Sequence, residues 1–246
     1  RLYSEANGIV ALSNRAKQDI ESMPATRRCN QPVAVVPSCV DFGLFGQGSK
    51  RSESNGEVRL VYIGTMGLRY KFDCVARFAA IADQELNGIR FRVLTRTDSN
   101  FVASTVRNAG LRDDAWSVDC VPHNRMPNEL ALQDVGLFFL SQGISEHGCS
   151  PTKVGEYWAA GLPVVTTPNV SDTDLIVRKE RVGVVVNEHS DVEYRRAAKE
   201  LRELLSDCEL SARCRRAARE HYDLEPACRR QIDLYREILE RRTIRK

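Results

Sequence analysis

The segment SEHGCSPTKVGEYWAAGLPVVTT, residues 145–167, holds the residue types and spacings best suited to binding chemistry. Ser150 can cap the helix that follows, and Pro151 suits its first turn, where a missing N–H costs nothing. Free amides at a helix start, at the positive end of the helix dipole, make a ready site for phosphate. Ser150, Pro151 and Thr152 could therefore frame a diphosphate, with Lys153 adding a charge in the first turn. Glu156 lies three residues further on, on the same helix face. A carboxylate there can accept two hydroxyl hydrogens at once, which recognition of a ribose diol requires. On spacing alone, a surface Lys–Glu pair on an amphipathic helix explains the same two residues equally well.

The elements around this segment alternate. Val58 to Ile63 (VRLVYI) reads as a short apolar strand closed by Gly64. Phe72 to Leu86 has apolar residues at helical spacing, and Ile89 to Leu94 reads as the next strand. A helix is expected around Asn100 to Asn108. Further strands are expected at Trp116 to Val121, Val135 to Leu140, Pro163 to Thr167 and Gly183 to Val186, separated by helices at Pro127 to Gln133, Thr152 to Ala160 and Asp172 to Glu180. This pattern predicts an α/β fold with a Rossmann-like parallel six-stranded sheet built from βαβ units. In such sheets ligands bind beyond the carboxyl ends of the strands, where strand order reverses. The loops after Ile63, Leu94, Val121 and Leu140 are therefore the candidates, and the pocket they frame is of nucleotide type.

Length and composition bound the rest. At 246 residues and 27.7 kDa, with 42% hydrophobic and 28% charged residues, this is a globular chain of one large domain, or of one domain plus a fragment. It begins at Arg1 and runs straight into structured-looking sequence, which suggests a piece of a longer chain. Residues 1–45 (strand Ile9 to Leu12, a helix capped by Ser13 or Asn14, strand Val33 to Val36) stand outside this βαβ unit. Residues 46–56 (GQGSKRSESNG) read as a linker, 57–207 as the Rossmann-like domain, and 208–246 as C-terminal helices. The net charge of +3 sits in the tail, where residues 191–246 hold 15 Lys and Arg against 12 Asp and Glu. So small an excess on a helical tail describes a solvated surface and argues against nucleic acid as a partner; a peripheral membrane contact stays open. The eight cysteines include no CxxC pair and no Cys/His cluster at zinc spacing, as expected of reduced thiols in a cytoplasmic protein. His123 has no second ligand beside it, so no metal site is expected.

Beyond these physical readings, SPTKVGEYWAAGLPVVTT resembles the donor-site signature of the retaining glycosyltransferases of family 4, the "group 1" enzymes of GT-B fold. Four other stretches agree in order and spacing: IVALSNRAKQDI (Ile9 to Ile20), VAVVPSCVD (Val33 to Asp41), LVYIGTMGLRYKFD (Leu60 to Asp73) and ELALQDVGLFFLSQ (Glu129 to Gln142). The resemblance implies the carboxy-terminal, donor-binding portion of such an enzyme. The donor is a UDP-, GDP- or ADP-sugar, the acceptor a saccharide, lipid-linked glycan or small molecule, and no metal or other cofactor takes part. It assigns the donor ribose to Glu156, and the diphosphate to Gly64, Thr65, Arg69, Ser150, Pro151 and Thr152. Lys71 and Lys153 join Glu156 as catalytic groups. Loop position alone places Thr95, Arg96, His123 and Arg125 near the nucleobase. The family usually carries an Arg just after the first glycine and a Glu eight residues before the ribose-binding Glu. Here Thr65 and Gly148 occupy those positions, and Glu146 is the nearest acid. The acceptor site in this family lies in the amino-terminal domain, of which the resemblance makes residues 1–45 the remnant, so the chain is expected to bind donor without turnover. A final helix carrying Leu234, Ile238 and Leu239 would cross back to that domain, or pair in a homodimer, and a site at the inner face of the membrane stays open. A non-catalytic binding module and a sugar-nucleotide epimerase of related fold are the competing readings.

Overall fold

The computed structural model describes residues 2–24, 26, 30–45 and 56–244. The linker expected over 46–56 thus lies outside the described residues except for Gly56, as does Cys29. The other seven cysteines are free thiols. The elements run α1 (Leu2–Glu5), β1 (Ile9–Ala11), α2 (Asn14–Ser22), β2 (Val33–Val35), α3 (Phe42–Phe45), β3 (Val58–Ile63), α4 (Phe72–Glu85), β4 (Ile89–Leu94) and α5 (Ser99–Asn108). They continue with β5 (Trp116–Asp119), α6 (Met126–Ala131), β6 (Val135–Phe138), α7 (Ile144–His147), α8 (Thr152–Ala159), β7 (Val164–Thr166), α9 (Thr173–Glu180) and β8 (Gly183–Val185). Three helices close the chain: α10 (Asp191–Leu205), α11 (Leu210–Tyr222) and α12 (Leu224–Ile244).

Six strands form one sheet in the order β5-β4-β3-β6-β7-β8, every neighbouring pair parallel. The reversal of direction falls between β3 and β6. With right-handed crossovers, the helices that follow β3 and β6 lie on opposite faces. α4 packs with α5 and α10, whereas α8 packs with α11. Burial on both faces explains why the strands read as unbroken apolar runs; all four residues of β6 are buried. On the first face, Phe78 of α4, Phe139 and Tyr194 of α10 meet ring to ring at 5.9–6.3 Å.

The second face sets α8 in place. Tyr157 and Trp158 are fully buried. The Tyr157 hydroxyl accepts a hydrogen bond from the Ile63 amide at 3.0 Å, and the Trp158 indole donates to the Val182 carbonyl at 3.1 Å. The Tyr157 ring lies across Gly136 of β6, where a Cβ would sit 2.4 Å from it. Only glycine permits this approach.

Val40 and Phe45 belong to the main core, whereas β1, α2 and β2 form a small unit in which the two strands pair in parallel around a core of Ile9, Ala11, Ala16 and Ile20. A cluster of polar contacts seats it on the larger sheet. Asn14 and Arg15 donate their backbone N–H groups to the Asp172 carboxylate at 2.7 and 3.1 Å. Arg15 grips Asp174 with two bonds at 2.6 and 3.0 Å. His147 Nδ1 meets Asp19 at 2.7 Å. The last helix returns to this unit: Leu234 and Ile238 pack at Gly8, and Arg230 donates to the Val35 carbonyl at 2.9 Å. Leu239, grouped with them in the sequence, points away and is 62% exposed. Among the described residues, no helix is long and apolar enough to cross a membrane.

Candidate functional site

At the switch point between β3 and β6, Gly64 ends β3 with a φ of +116°, a conformation that favours glycine. A Cβ there would lie 2.5 Å from Lys153 Nζ, so the lysine reaches across from α8 to the glycine itself. Three rings surround the ammonium: Tyr70 at 4.5 Å, Tyr62 at 5.3 Å and Phe138 at 5.4 Å from Nζ to the centroids. Aromatic faces attract a cation but supply no counter-charge. Among the described residues, no carboxylate lies within ion-pair distance of Lys153. Burial, opposed only by the more distant Glu156, pushes its pKa down from 10.5 to about 8.

The backbone at this point is only partly partnered. Pro151 occupies the N-cap of α8 and makes no side-chain capping bond. The expectation that Ser150 caps this helix is not met. Its hydroxyl instead accepts a bond from the Ser38 amide at 2.8 Å, tying the segment after β2 to the start of α8. Thr152, exposed, is the first helical residue. The Val154 amide turns back to the Pro151 carbonyl at 3.0 Å, so among the described residues the Thr152 and Lys153 amides, with the helix dipole, are left for a ligand.

One turn on, Glu156 is 8% exposed. Its Oε1 lies 3.1 Å from His123 Nε2, and the His123 ring sits edge-on to Phe45 at 5.7 Å. His123, expected near the nucleobase, is thus in contact with the Glu156 carboxylate. Thr95 is buried and caps its own loop, accepting from the Thr97 amide at 3.0 Å. Arg96 and Arg125 are exposed in the loops after β4 and β5. Thr65 is exposed, and its carbonyl accepts a bond from the Tyr62 hydroxyl at 2.9 Å.

Arg69 already has partners. Its guanidinium pairs with the buried Glu146 at 2.9 Å and donates to the Cys149 Sγ at 3.4 Å, just before the start of α8. Bonds from Ser145, then Ser141 and Arg69, hold the Glu146 carboxyl below its usual range against the opposing effect of burial. Lys71 stands just before α4 and lines a cavity of about 850 Å³ with Met66, Leu68, Phe101 and Asn108, on the α4–α5 face of the glycine loop. No hydrogen bond or ion pair joins it to Lys153 or Glu156 among the described residues. The structure therefore groups Gly64, Lys153, Glu156 and His123 at the start of α8, with Arg69 beside it through Cys149 and Lys71 on the cavity side of the glycine loop. The aromatic cage escaped sequence reasoning, although Tyr62 and Phe138 stand at the carboxyl ends of the two strands that flank the switch point. Among the described residues, one group of side chains could hold a metal ion, Glu180, Glu220 and His221 at the seam of α9 and α11; His221 Nε2 already meets Glu180 at 2.5 Å.

No family model matches the sequence, and no curated protein matches it. Solved structures do. A glycosyltransferase from Rickettsia africae superposes with a TM-score of 0.74 at 13% identity, over 97% of this chain and 66% of that one. A point mutant of TarM from S. aureus, crystallised with fondaparinux, α-GlcNAc-glycerol and UDP, gives 0.67 at 14% identity, over 95% of this chain and 44% of its own. The C-terminal domain of a group 1 glycosyl transferase from Francisella tularensis gives 0.55 at 17%, covering 76% of this chain and all of that one. The neighbours are GT-B glycosyltransferases, and the fold is that of their carboxy-terminal Rossmann-like domain. The chain spans about half the length of TarM and two thirds of the Rickettsia enzyme.

Proposed function

We propose that this chain is the donor-binding portion of a retaining glycosyltransferase that uses a nucleoside diphosphate sugar. The observation that carries the reading is Lys153, a desolvated and unpaired ammonium facing Gly64 beside the uncapped start of α8. An isolated buried cation is costly and calls for an anion. A diphosphate laid across Gly64 and the α8 amides would supply it. Glu156, one turn away, would take the ribose hydroxyls. As the glycosidic bond to the diphosphate breaks, negative charge grows on the leaving oxygens. Lys153 and the amides then stabilise that charge without reorganising. The UDP in the TarM crystal is in keeping with this ligand class.

Arg69, held by Glu146 beside Cys149, and Lys71, on the cavity side of the glycine loop, would add positive charge around such a ligand, while Lys153 faces Gly64 directly. The acceptor, a saccharide, lipid-linked glycan or small molecule, would be held by an amino-terminal domain to which residues 1–45 would contribute. Residues 1–45 by themselves would not hold it, so this chain alone would bind donor without turning it over. Thermal stabilisation by UDP, GDP, ADP and their sugars tests the reading, with Glu156→Ala as control. A ligand at 100 times its Kd should add about 2.7 kcal/mol. A flat panel on folded protein refutes the donor site; sugar transfer by this chain alone refutes the missing acceptor half. Gly148 and Thr65, which depart from the pattern of the family the sequence resembles, favour a second reading, a binding module without catalysis. That reading predicts donor binding with no transfer even when an acceptor domain is supplied.

A further inference from the structure

We propose that His123 is a positioning residue for Glu156, fixing the plane of the carboxylate that meets the ribose. The proposal rests on the donor-site reading above. Glu156 is almost wholly buried, and burying a carboxylate is unfavourable unless its oxygens are bonded. Lys153 is too far for an ion pair, so the one side chain that bonds it among the described residues is His123, through Oε1 at 3.1 Å. An ionised carboxylate can only accept, so Nε2 carries the hydrogen. Oε2 accepts no hydrogen bond among the described residues.

His123 itself is two-thirds exposed at the side chain, and its ring has a contact on each side. The edge-on contact with Phe45, 3% exposed at the end of α3, holds it from the other side. A carboxylate tied at one oxygen loses rotation about its terminal bond. The remaining lone pairs then face a fixed direction, as a pair of hydroxyls at fixed spacing requires. A freely turning carboxylate would pay that ordering cost at each binding event. The loop position that suggested a nucleobase contact therefore serves the ribose, through Glu156.

The test is calorimetric titration of UDP, GDP and ADP, and of their 2′-deoxy counterparts, into the wild-type chain and three variants. His123 is exposed enough that its replacement should leave the fold intact. His123→Ala should weaken the ribonucleotide about tenfold and the 2′-deoxynucleotide much less, narrowing the ratio between them. His123→Gln, whose amide can donate to the same oxygen, should recover most of the loss. In a Glu156→Gln background, His123→Ala should add little, because its partner has lost its charge. Equal losses for the ribo and deoxy ligands would overturn the proposal, pointing to a base or phosphate contact. Additive losses in the double variant would overturn it as well. A wild type that binds none of the nucleotides sinks the donor site itself. In that case the ring ¹⁵N shifts of His123 still decide the contact: no change on Glu156→Gln refutes it.

Discussion

Lys153 offers the sharpest test because stability and binding should move in opposite directions. In the unfolded chain its amine titrates near 10.5, and in the fold near 8. That difference sets the charged form at a disadvantage of about 3 kcal/mol in the fold. Between pH 8 and 10.5 the unfolded chain holds a proton that the native one has released. Stability from this group therefore rises with pH across that window and is at its lowest below pH 8. Lys153→Met removes the penalty, so at pH 7 the unliganded variant should be more stable than wild type by roughly 2–3 kcal/mol, and the two should converge by about pH 10.5. Binding should behave in reverse. Only the protonated amine pairs with a diphosphate, whose terminal phosphate, with a second pKa of about 6, is fully ionised here. Affinity for UDP, or whichever diphosphate binds, should be flat between pH 7 and 8 and fall by about tenfold per pH unit above that; Lys153→Met should abolish it. Guanidinium chloride unfolding of both proteins from about pH 6.5 to 10.5, with calorimetry over the same range, measures all of this. A variant no more stable than wild type at pH 7, or an affinity unchanged at about pH 9.5, would refute the account of Lys153 as a desolvated anion receptor.

Three further substitutions probe the frame around it. Gly64→Ala strains a residue at φ +116° and drives a methyl group into Lys153 Nζ, so it should cost about 1–3 kcal/mol of stability and displace the lysine, with a loss of nucleotide affinity read by calorimetry. Tyr157→Phe strips the Ile63 amide of its 3.0 Å acceptor at the base of the glycine loop; a loss of about 1–3 kcal/mol in chemical denaturation is expected, with faster hydrogen exchange at Ile63. Arg15→Ala leaves Asp174, 6% exposed at its side chain, without its bidentate partner. The expected cost is about 3 kcal/mol, with faster proteolysis of the β1–α2–β2 unit than of the six-stranded sheet.

Much of the fold was legible because burial and pairing coincide in most strands. VRLVYI and IRFRVL are strands over the expected residues, since both run the full width of the sheet. The runs after Trp116 and Val135 were expected to reach Val121 and Leu140 but leave the ladder at Asp119 and Phe138. Phe139 and Leu140 remain buried after their parallel neighbour has ended, and Leu140 bridges back to Tyr70. Apolarity reports burial, and burial outlasts pairing there. The capping role of Ser150 failed for a related reason. Its partner is the Ser38 amide, 112 residues away, and a local signal says nothing about a competitor at that distance. Lys153 and Glu156 were readable because one helix holds both. The rings around Lys153 were not, because Tyr62, Tyr70 and Phe138 come together only once the order of the strands is known.

The two departures from the pattern of the family this sequence resembles are better understood together than singly. Thr65 removes a basic residue after the first glycine, and Gly148 removes an acidic one before the α8 signature. Arg69 and Glu146 carry the same two charges four residues later in one loop and two residues earlier in the other, paired at 2.9 Å. The charge of the two loops is thus retained while its location is not. The pair also joins the loops mechanically, because the Arg69 carbonyl accepts from the Ser141 amide at 2.8 Å alongside the Tyr70–Leu140 bridge. With that acid buried and saturated by Ser141, Ser145 and Arg69, it has little capacity left for a sugar hydroxyl. Lys153, Glu156 and His123 have spare bonding capacity where the strand order reverses. A ligand recognised mainly through its diphosphate and ribose fits that distribution better than one recognised mainly through its sugar.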